Sequence, residues 1–229
     1  MEKLEQLYEG DAKKIFKTAD PEVLIVSYKE EPEQTDFDIT YVVKNRMSNH
    51  LFKLFEKKGV PTYLISELNA VERAVKSTKE VALEVVVRNY ATDDFAKKLG
   101  LKEGAKLKTP TLEFIYKNEE LGNPFINGYY ALAIDIVNNE EVDRIVSYAF
   151  KINDTLINYF EGLGMDLKDF KIEFGRYKGD IVLAGEISFD DCGLCYKETG
   201  EDFDIYEFIS EFVGEDVTYE DLFKRLGIQ

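Results

Sequence analysis

The chain has 229 residues, 45% of them hydrophobic and 13% aromatic, so a sizeable core can form and global disorder is not expected. The formal net charge of −16 argues against non-specific binding to nucleic acid or to an anionic membrane, because both require a cationic surface. The first residues lack the apolar stretch of a signal peptide and no apolar run is long enough to cross a bilayer, so we expect a cytoplasmic protein.

Apolar runs broken by turn residues predict strands in the first part of the chain. Gly10 lies in the turn between the first two runs, as in a hairpin. Apolar residues at three- and four-residue spacing predict one helix here, and Lys57, Lys58 and Gly59 are a typical helix end. The predicted elements are strands at 4–8, 12–17, 23–28, 61–65 and 81–87 and a helix at 42–55.

The remainder of the chain mixes helices and strands. The predicted elements are helices at 94–99, 140–160 and 219–226, strands at 112–116, 170–174 and 180–187, and a turn at 178–180. There is no internal repeat and no low-complexity linker. The pattern favours an α+β fold with antiparallel strands in the amino-terminal part.

The turn around Gly10 is the first candidate site. A glycine between strands lets backbone N–H groups approach a phosphate, and Lys13 lies just beyond it. The spacing is not that of a Walker loop, which has a longer glycine-to-lysine interval and a following helix. An ordinary hairpin explains the same residues.

Arg88 is the second candidate, because it follows the apolar run at 81–87. An arginine at the end of a buried strand pairs with an internal carboxylate in many proteins. Its guanidinium can equally bind a phosphate or carboxylate ligand through two hydrogen bonds. The sequence leaves both alternatives open.

The two strands near residue 180 carry the third candidate. Two-residue alternation places Lys171 and Glu173 on one face of their strand, opposite to the apolar residues between them. Together with Glu186 on the neighbouring strand, they could hold ATP phosphates through Mg²⁺. A cross-strand ion pair is the alternative.

Cys192 and Cys195 have the spacing of a redox pair or of half a zinc site. A zinc site needs further ligands, and His50 is the single histidine of the sequence. We therefore interpret the two cysteines as incidental.

Five segments, taken in order, resemble the SAICAR synthetase family of purine biosynthesis. They are residues 7–13, 83–89, 114–118, 123–127 and 169–175, and the resemblance covers nearly the whole chain. It implies a two-lobed α+β fold, akin to the ATP-grasp enzymes, with antiparallel sheets and an ATP cleft between the lobes. We expect residues 1–80 to form a strand-rich lobe with the glycine loop, and residues 81–229 to form an α+β lobe with the ATP, Mg²⁺ and substrate site.

The resemblance also implies a reaction, in which a carboxylate is activated by ATP as an acyl phosphate and then attacked by an amine to give an amide. The implied nucleotide-binding residues are Gly10, Lys13, Lys76, Val81, Leu83, Lys171 and Glu186, with the segment from Lys76 to Leu83 holding adenine through its backbone. Lys171 and Glu173 would be catalytic, and Glu173 and Glu186 would bind Mg²⁺. The implied substrate-binding residues are Asn45, Arg88, Asp94 and Ser188. The expected partners are a small-molecule carboxylate and an amine, and members of this family often form homo-oligomers.

Several positions depart from the family pattern, and four of them bear most directly on ligand binding. Asp11 replaces a lysine of the glycine loop, Asp94 a phosphate-binding serine, Gly185 a metal-binding aspartate, and Gly193 an arginine. Two unit charges about 4 Å apart attract or repel each other by several kcal/mol. The carboxylate of Asp94 would therefore repel a ribonucleotide phosphate and weaken its binding. Our main hypothesis is therefore an amide-forming ligase with a changed substrate site. The alternatives are a genuine SAICAR synthetase and a weak or inactive nucleotide-binding homologue.

Overall fold

The structure, a computed structural model, describes residues 1–29, 39–212 and 218–228. Its strands are β1 Gln6–Glu9, β2 Lys13–Lys17, β3 Val23–Tyr28, β4 Leu64–Asn69, β5 Glu72–Lys76, β6 Lys79–Tyr90, β7 Lys106–Tyr116, β8 Phe125–Ile126, β9 Met165–Tyr177, β10 Asp180–Ala184 and β11 Cys192–Tyr196. Its helices are α1 Ile39–Lys57, α2 Asp93–Leu99, α3 Gly128–Ala133, α4 Asn139–Glu161, α5 Ile205–Phe212 and α6 Tyr219–Arg225. None of these helices combines the length and the apolar character that spanning a bilayer requires.

The strands form two antiparallel sheets. The first has the order β1-β2-β3-β5-β4, and the second has the order β10-β9-β6-β7-β8, with β11 also paired to β9. The chain changes from the first sheet to the second between Lys76 and Lys79. A lobe boundary at residue 80 stays a prediction, although it lies close to this change of sheet.

Helix α4 packs against the second sheet and shows why the long helix could be predicted. Its fully buried apolar residues recur at three- and four-residue spacing, as a helix with one apolar face requires. They are Ile145, Ala149, Ile152, Leu156 and Phe160. The helix begins with a capping box in which Asn138 and Glu141 each accept a hydrogen bond from the other's backbone N–H. These residues extend the core that the apolar face of α1 also enters.

Most predicted elements agree with the structure, but several boundaries are wrong, including the starts of β7 and β9, which lie at Lys106 and Met165. The strand predicted at 61–65 begins only at Leu64, and the strand predicted at 180–187 ends at Ala184. The second ends early because Gly185 has a φ of 75°, which a regular strand does not permit. The tail helix starts as expected at Tyr219.

Residues 61–63 join the two sheets instead of extending β4. Leu183 N–H donates to the Pro61 carbonyl at 2.8 Å, and Tyr63 N–H donates to the Leu183 carbonyl at 2.9 Å. This is a short parallel bridge centred on Thr62 and Leu183. The space between the sheets opens next to it, at Ala184 and Gly185.

Candidate active site

Two adjoining cavities lie between the sheets. The first has a volume of about 560 Å³ and the second about 340 Å³. Both are lined by Ala12, Lys13, Glu173 and Gly185, so they form one continuous cleft. Its walls come from the β1–β2 hairpin on one side and from β9 and the segment after β10 on the other.

The predicted hairpin around Gly10 is confirmed, and it covers the first cavity. Gly10 N–H donates to the Lys13 carbonyl at 2.9 Å across the turn. A Cβ on Gly10 would lie 2.8 Å from the Tyr8 hydroxyl, so glycine lets the Tyr8 ring fold over the turn. Gly10 and Asp11 both line the first cavity.

Lys13 stands where the two cavities meet. Its ammonium group contacts the Glu186 carboxylate and lies 5.4 Å from the centre of the Tyr28 ring. Burial, reinforced by the nearby Arg73, lowers the pKa of Lys13 to about 8. The carboxylates of Asp191 and Glu173 act in the opposite direction, because nearby anions favour the charged lysine.

On β9, Lys171 and Glu173 face the cleft as the two-residue alternation predicts. Phe170, Ile172 and Phe174, which alternate with them, are fully buried on the other face. Lys171 Nζ lies 3.5 Å from a Glu84 carboxylate oxygen, so it makes a cross-strand ion pair with β6. The contact supports the alternative of a cross-strand ion pair. Lys171 nevertheless also lines the second cavity.

Glu173 is held by a lysine that sequence reasoning missed. Lys117 Nζ donates to Glu173 Oε1 at 2.9 Å and also contacts Glu80. Lys117 and Glu173 line the first cavity together with Thr78 and Glu80. Lys117, Glu80 and Glu173 therefore form a charged part of the cavity wall, next to the hydroxyl-bearing Thr78.

The carboxylates of Glu173 and Glu186 are of the donor type that Mg²⁺ prefers. Both are ion-paired with lysines, and no group of three or more acidic, histidine or cysteine side chains suited to a metal occurs within the part of the chain the structure describes. Mg²⁺ commonly takes one or two protein carboxylates and completes its shell with phosphate oxygens and water. The donors fit a Mg²⁺ ion that arrives with a nucleotide.

Ser188 and Asp191 line the second cavity. Asp191 Oδ2 accepts hydrogen bonds from Ser188 N–H at 2.8 Å and from the Ser188 hydroxyl at 3.1 Å. Burial raises the pKa of Asp191 to about 6, although the Ser188 hydrogen bonds and Lys13 oppose the shift. The role of Ser188 in substrate binding stays a prediction, whereas Asp191 carried no signal in the sequence.

Arg88 lies outside both cavities, in a cluster with internal carboxylates. Its Nε donates to Glu113 at 3.0 Å, and its Nη1 donates to Asp169 at 3.2 Å and to the Thr92 hydroxyl at 2.6 Å. A Cβ on Gly193 would lie 2.6 Å from Asp169 Oδ1, so glycine there lets Asp169 occupy this position. The structure thus shows the carboxylate pairing that the sequence left open.

Two other predicted substrate residues do not join the cleft. The Asp94 side chain is 91% exposed and lies 3.4 Å from Lys97 in the same helix. Asn45 is buried on α1, where its Nδ2 donates to the carbonyls of Asn69 and Ala70 at 3.3 and 3.0 Å. Their roles in substrate binding stay predictions.

The predicted adenine-binding segment passes along the first cavity. Lys76 Nζ donates to the Thr62 carbonyl at 2.7 Å, and the side chains of Val81 and Leu83 are buried in the core. Any contact of Val81 or Leu83 with a ligand would therefore be through the backbone, as the resemblance implies. Thr78 and Glu80 supply the side chains that line the cavity here.

Several charged residues of the cleft were missed by sequence reasoning. Besides Lys117 and Asp191, they include Lys44, whose Nζ lies 2.5 Å from Asp190, and Arg73 on β5. Their positions in the cleft follow from how the two sheets meet.

Cys192 and Cys195 are free and buried. Burial raises the pKa of both thiols, which disfavours the reactive thiolate. Cys192 contributes to the main hydrophobic core.

Comparison with known proteins gives a consistent result. A model of the family described as SAICAR synthetase matches residues 6–220. The phosphoribosylaminoimidazole-succinocarboxamide synthase of Lachnoclostridium phytofermentans is 49% identical, with 100% of both chains covered. That of Clostridium botulinum (strain Langeland) is 43% identical, covering 99% of this chain and 100% of the relative.

Solved structures agree in fold. The crystal structure of phosphoribosylaminoimidazole-succinocarboxamide synthase from Ehrlichia chaffeensis has a TM-score of 0.83 at 32% identity, covering 98% of this chain and 99% of that one. A SAICAR synthetase in complex with ADP has a TM-score of 0.81 at 35% identity, covering 97% of each chain. The expected α+β fold with antiparallel sheets is confirmed. The chain belongs to the SAICAR synthetase family, whose members are ATP-dependent carbon–nitrogen ligases.

Proposed function

We propose that this protein is a genuine SAICAR synthetase, which uses ATP to join the carboxylate of a carboxyaminoimidazole ribonucleotide to the amine of aspartate. The observation that carries the proposal is the end-to-end match at 49% identity to a synthase of this name. The cleft between the sheets adds chemical support, because it brings Gly10 and Lys13 opposite Lys171, Glu173 and Glu186.

The first cavity is the proposed ATP site. The glycine turn covers it, the segment from Lys76 to Leu83 runs along it, and a related synthetase has been solved with ADP. Glu173 and Glu186 would hold Mg²⁺, which offsets negative charge on the phosphates when it is bound. Lys13 would lie over the phosphates where the two cavities meet.

The second cavity is the proposed place of carboxylate activation. Transfer of a phosphoryl group to a carboxylate gathers negative charge on oxygen atoms, and fixed cations stabilise that charge. Lys13 and Lys171 both line this cavity, and Lys171 is exposed enough to reach a bound carboxylate. Ser188 and Asp191 also line this cavity, so a substrate bound there would lie close to them.

A changed substrate site, our main hypothesis from the sequence, has no support in the comparisons, which favour the genuine synthetase. The expected repulsion of a ribonucleotide phosphate by Asp94 requires that carboxylate to face the phosphate. In the structure it is exposed and paired with Lys97. We propose that Arg88, oriented by Glu113 and Asp169, contributes to binding of the ribonucleotide phosphate.

Calorimetric titration with Mg·ATP, and separately with the carboxyaminoimidazole ribonucleotide, tests the proposal. We expect both ligands to bind, and ADP to be released only when ATP, the ribonucleotide and aspartate are all present. Glu173→Gln should lower that turnover by about a hundredfold or more, because it removes a carboxylate proposed to hold the Mg²⁺ ion that offsets charge on the phosphates. Glu161→Gln is the matched control, since Glu161 is exposed and pairs with Lys197.

The outcomes separate the three hypotheses. Binding of ATP without binding of the ribonucleotide would restore the changed-substrate ligase. Binding of neither would indicate an inactive homologue. Rescue of a purine auxotroph that lacks the enzyme would independently support the genuine synthetase.

A further inference from the structure

Arg73 is a fully buried cation beside the cleft. Its side chain is 0% exposed, and its guanidinium carbon lies 5.6 Å from the centre of the Phe52 ring and 5.7 Å from that of Tyr63. Strand β5 places it there, since its neighbours on the same strand, Ala74 and Val75, are also buried. Arginine is rarely buried to this extent without a paired anion.

The guanidinium is only partly satisfied. Its Nη2 donates to the Tyr63 hydroxyl and to the Gly185 carbonyl, both at 3.1 Å. Its Nε and Nη1 are buried and have no hydrogen-bond partner. Among the ion pairs of the described residues, none joins Arg73 to a carboxylate within 4.0 Å. An unpaired buried charge is strongly unfavourable, so this arrangement points to an anion nearby that compensates the charge.

The first cavity is where such an anion would lie, because Arg73 is part of its lining. The charged residues of that lining are three cations, Lys13, Arg73 and Lys117, and three carboxylates, Asp11, Glu80 and Glu173. Without Arg73 the carboxylates would outnumber the cations. The positive charge of Arg73 also affects Lys13, because it contributes to lowering the pKa of that lysine.

We propose that Arg73 selects for the phosphate groups of the nucleotide, so that its buried charge favours a nucleoside di- or triphosphate over an uncharged nucleoside. The inference rests on the proposed ATP site in the first cavity. Its physical basis is that a charge in a low-dielectric wall is poorly screened and attracts an anion without direct contact. The positive charge of Arg73 thereby offsets the negative charge of Asp11, which lines the same cavity.

The test compares Arg73→Met with the wild-type protein for binding of ADP and of adenosine by calorimetry. We expect ADP affinity to fall about tenfold or more and adenosine affinity to change by less than about twofold, because adenosine has no phosphate charge. The thermal midpoint of the ligand-free variant should be unchanged or higher, since an unsatisfied buried charge is removed. Arg73→Lys should keep the preference for ADP.

Arg73→Gln is a second neutral variant, which can retain hydrogen bonds to Tyr63 and Gly185 and serves if the methionine variant does not fold. Arg144→Met is the matched control, because Arg144 is exposed and pairs with Asp180. An equal loss of ADP and adenosine affinity, or an unchanged ADP affinity, would show that Arg73 is structural and overturn the inference. Failure of the wild-type protein to bind ADP would overturn the proposed function as well.

Discussion

At the scale of single residues, Asp191 couples the stability of the protein to pH. Burial raises its pKa from 3.8 to about 6, so the folded protein holds this proton more tightly than the unfolded chain. The stability that results is fully present below about pH 4 and is lost as the pH rises through about 6. We expect Asp191→Asn to remove this loss, so that the variant gains roughly 2–3 kcal/mol relative to wild type between pH 4 and pH 7.

Urea unfolding of both proteins at pH 4, 5, 6 and 7 measures this effect. The comparison with Asp180→Asn serves as the control, because Asp180 is 71% exposed at the start of β10. A difference between Asp191→Asn and wild type that stays constant across this range would contradict the prediction.

The sequence could predict some residues of the cleft and not others. Lys171 and Glu173 could be found because strand alternation alone places them on one face. Arg73 and Asp191 could not, because burial of a charge depends on what packs against it from another part of the chain. Arg88 was identified as important, but its carboxylate partners come from β7 and β9 and were not identifiable from local pattern.

At the scale of elements, Gly175 lets β9 approach the segment between β5 and β6. A Cβ there would lie 2.7 Å from Thr78 Oγ1 and 2.8 Å from Thr78 Cβ. We expect Gly175→Ala to push this segment away from β9, lowering the free energy of unfolding by about 1–3 kcal/mol and weakening ADP binding. Chemical unfolding and calorimetric titration measure the two effects.

Gly128→Ala is the matched control, because a Cβ at Gly128 meets its nearest neighbours at 3.6 Å, which is ordinary contact. Equal stability and equal ADP affinity in the two variants would mean that the segment around Thr78 can move away from β9 without affecting stability or ADP binding. That result would remove the argument that a close approach at Gly175 shapes the first cavity.

Elements with a strong period could be predicted, and short or irregular ones could not. Helix α4 repeats its apolar face over six turns, and β3 was predicted with its observed bounds. By contrast, three of the five residues of β5 are charged, namely Glu72, Arg73 and Lys76. The strand therefore lacks the alternation of apolar and polar residues by which a strand is predicted. Strand β11 has a register shift between Gly193 and Leu194 that breaks the alternation.

At the scale of the whole molecule, the net charge of −16 is a source of self-repulsion. Salt weakens this repulsion, and it also weakens ion pairs such as Lys17 with Glu5, which are exposed and individually worth little. We expect the first effect to be larger, so raising NaCl from about 0.02 to 0.2 M should increase the free energy of unfolding by on the order of 1 kcal/mol. Urea unfolding at the two salt concentrations checks this, and a decrease would show that ion pairs dominate.

The family and the two-sheet fold could be predicted because five motifs occur in order along the chain. How the sheets join could not be predicted, since residues 61–63 look like the start of a strand and instead pair with Leu183. Such pairing joins positions far apart in the sequence, so it cannot be predicted from the pattern of neighbouring residues.

The junction of the two sheets at residues 61–63 bears on how the cleft between them can open. At residues 61–63 the sheets share two backbone hydrogen bonds, whereas Lys13 with Glu186 and Glu22 with Lys178 connect them through side chains alone. Side-chain ion pairs exchange more easily than paired backbone groups. We therefore expect any movement of one sheet relative to the other to pivot near Thr62 and Leu183, with the strand pairing within both sheets preserved.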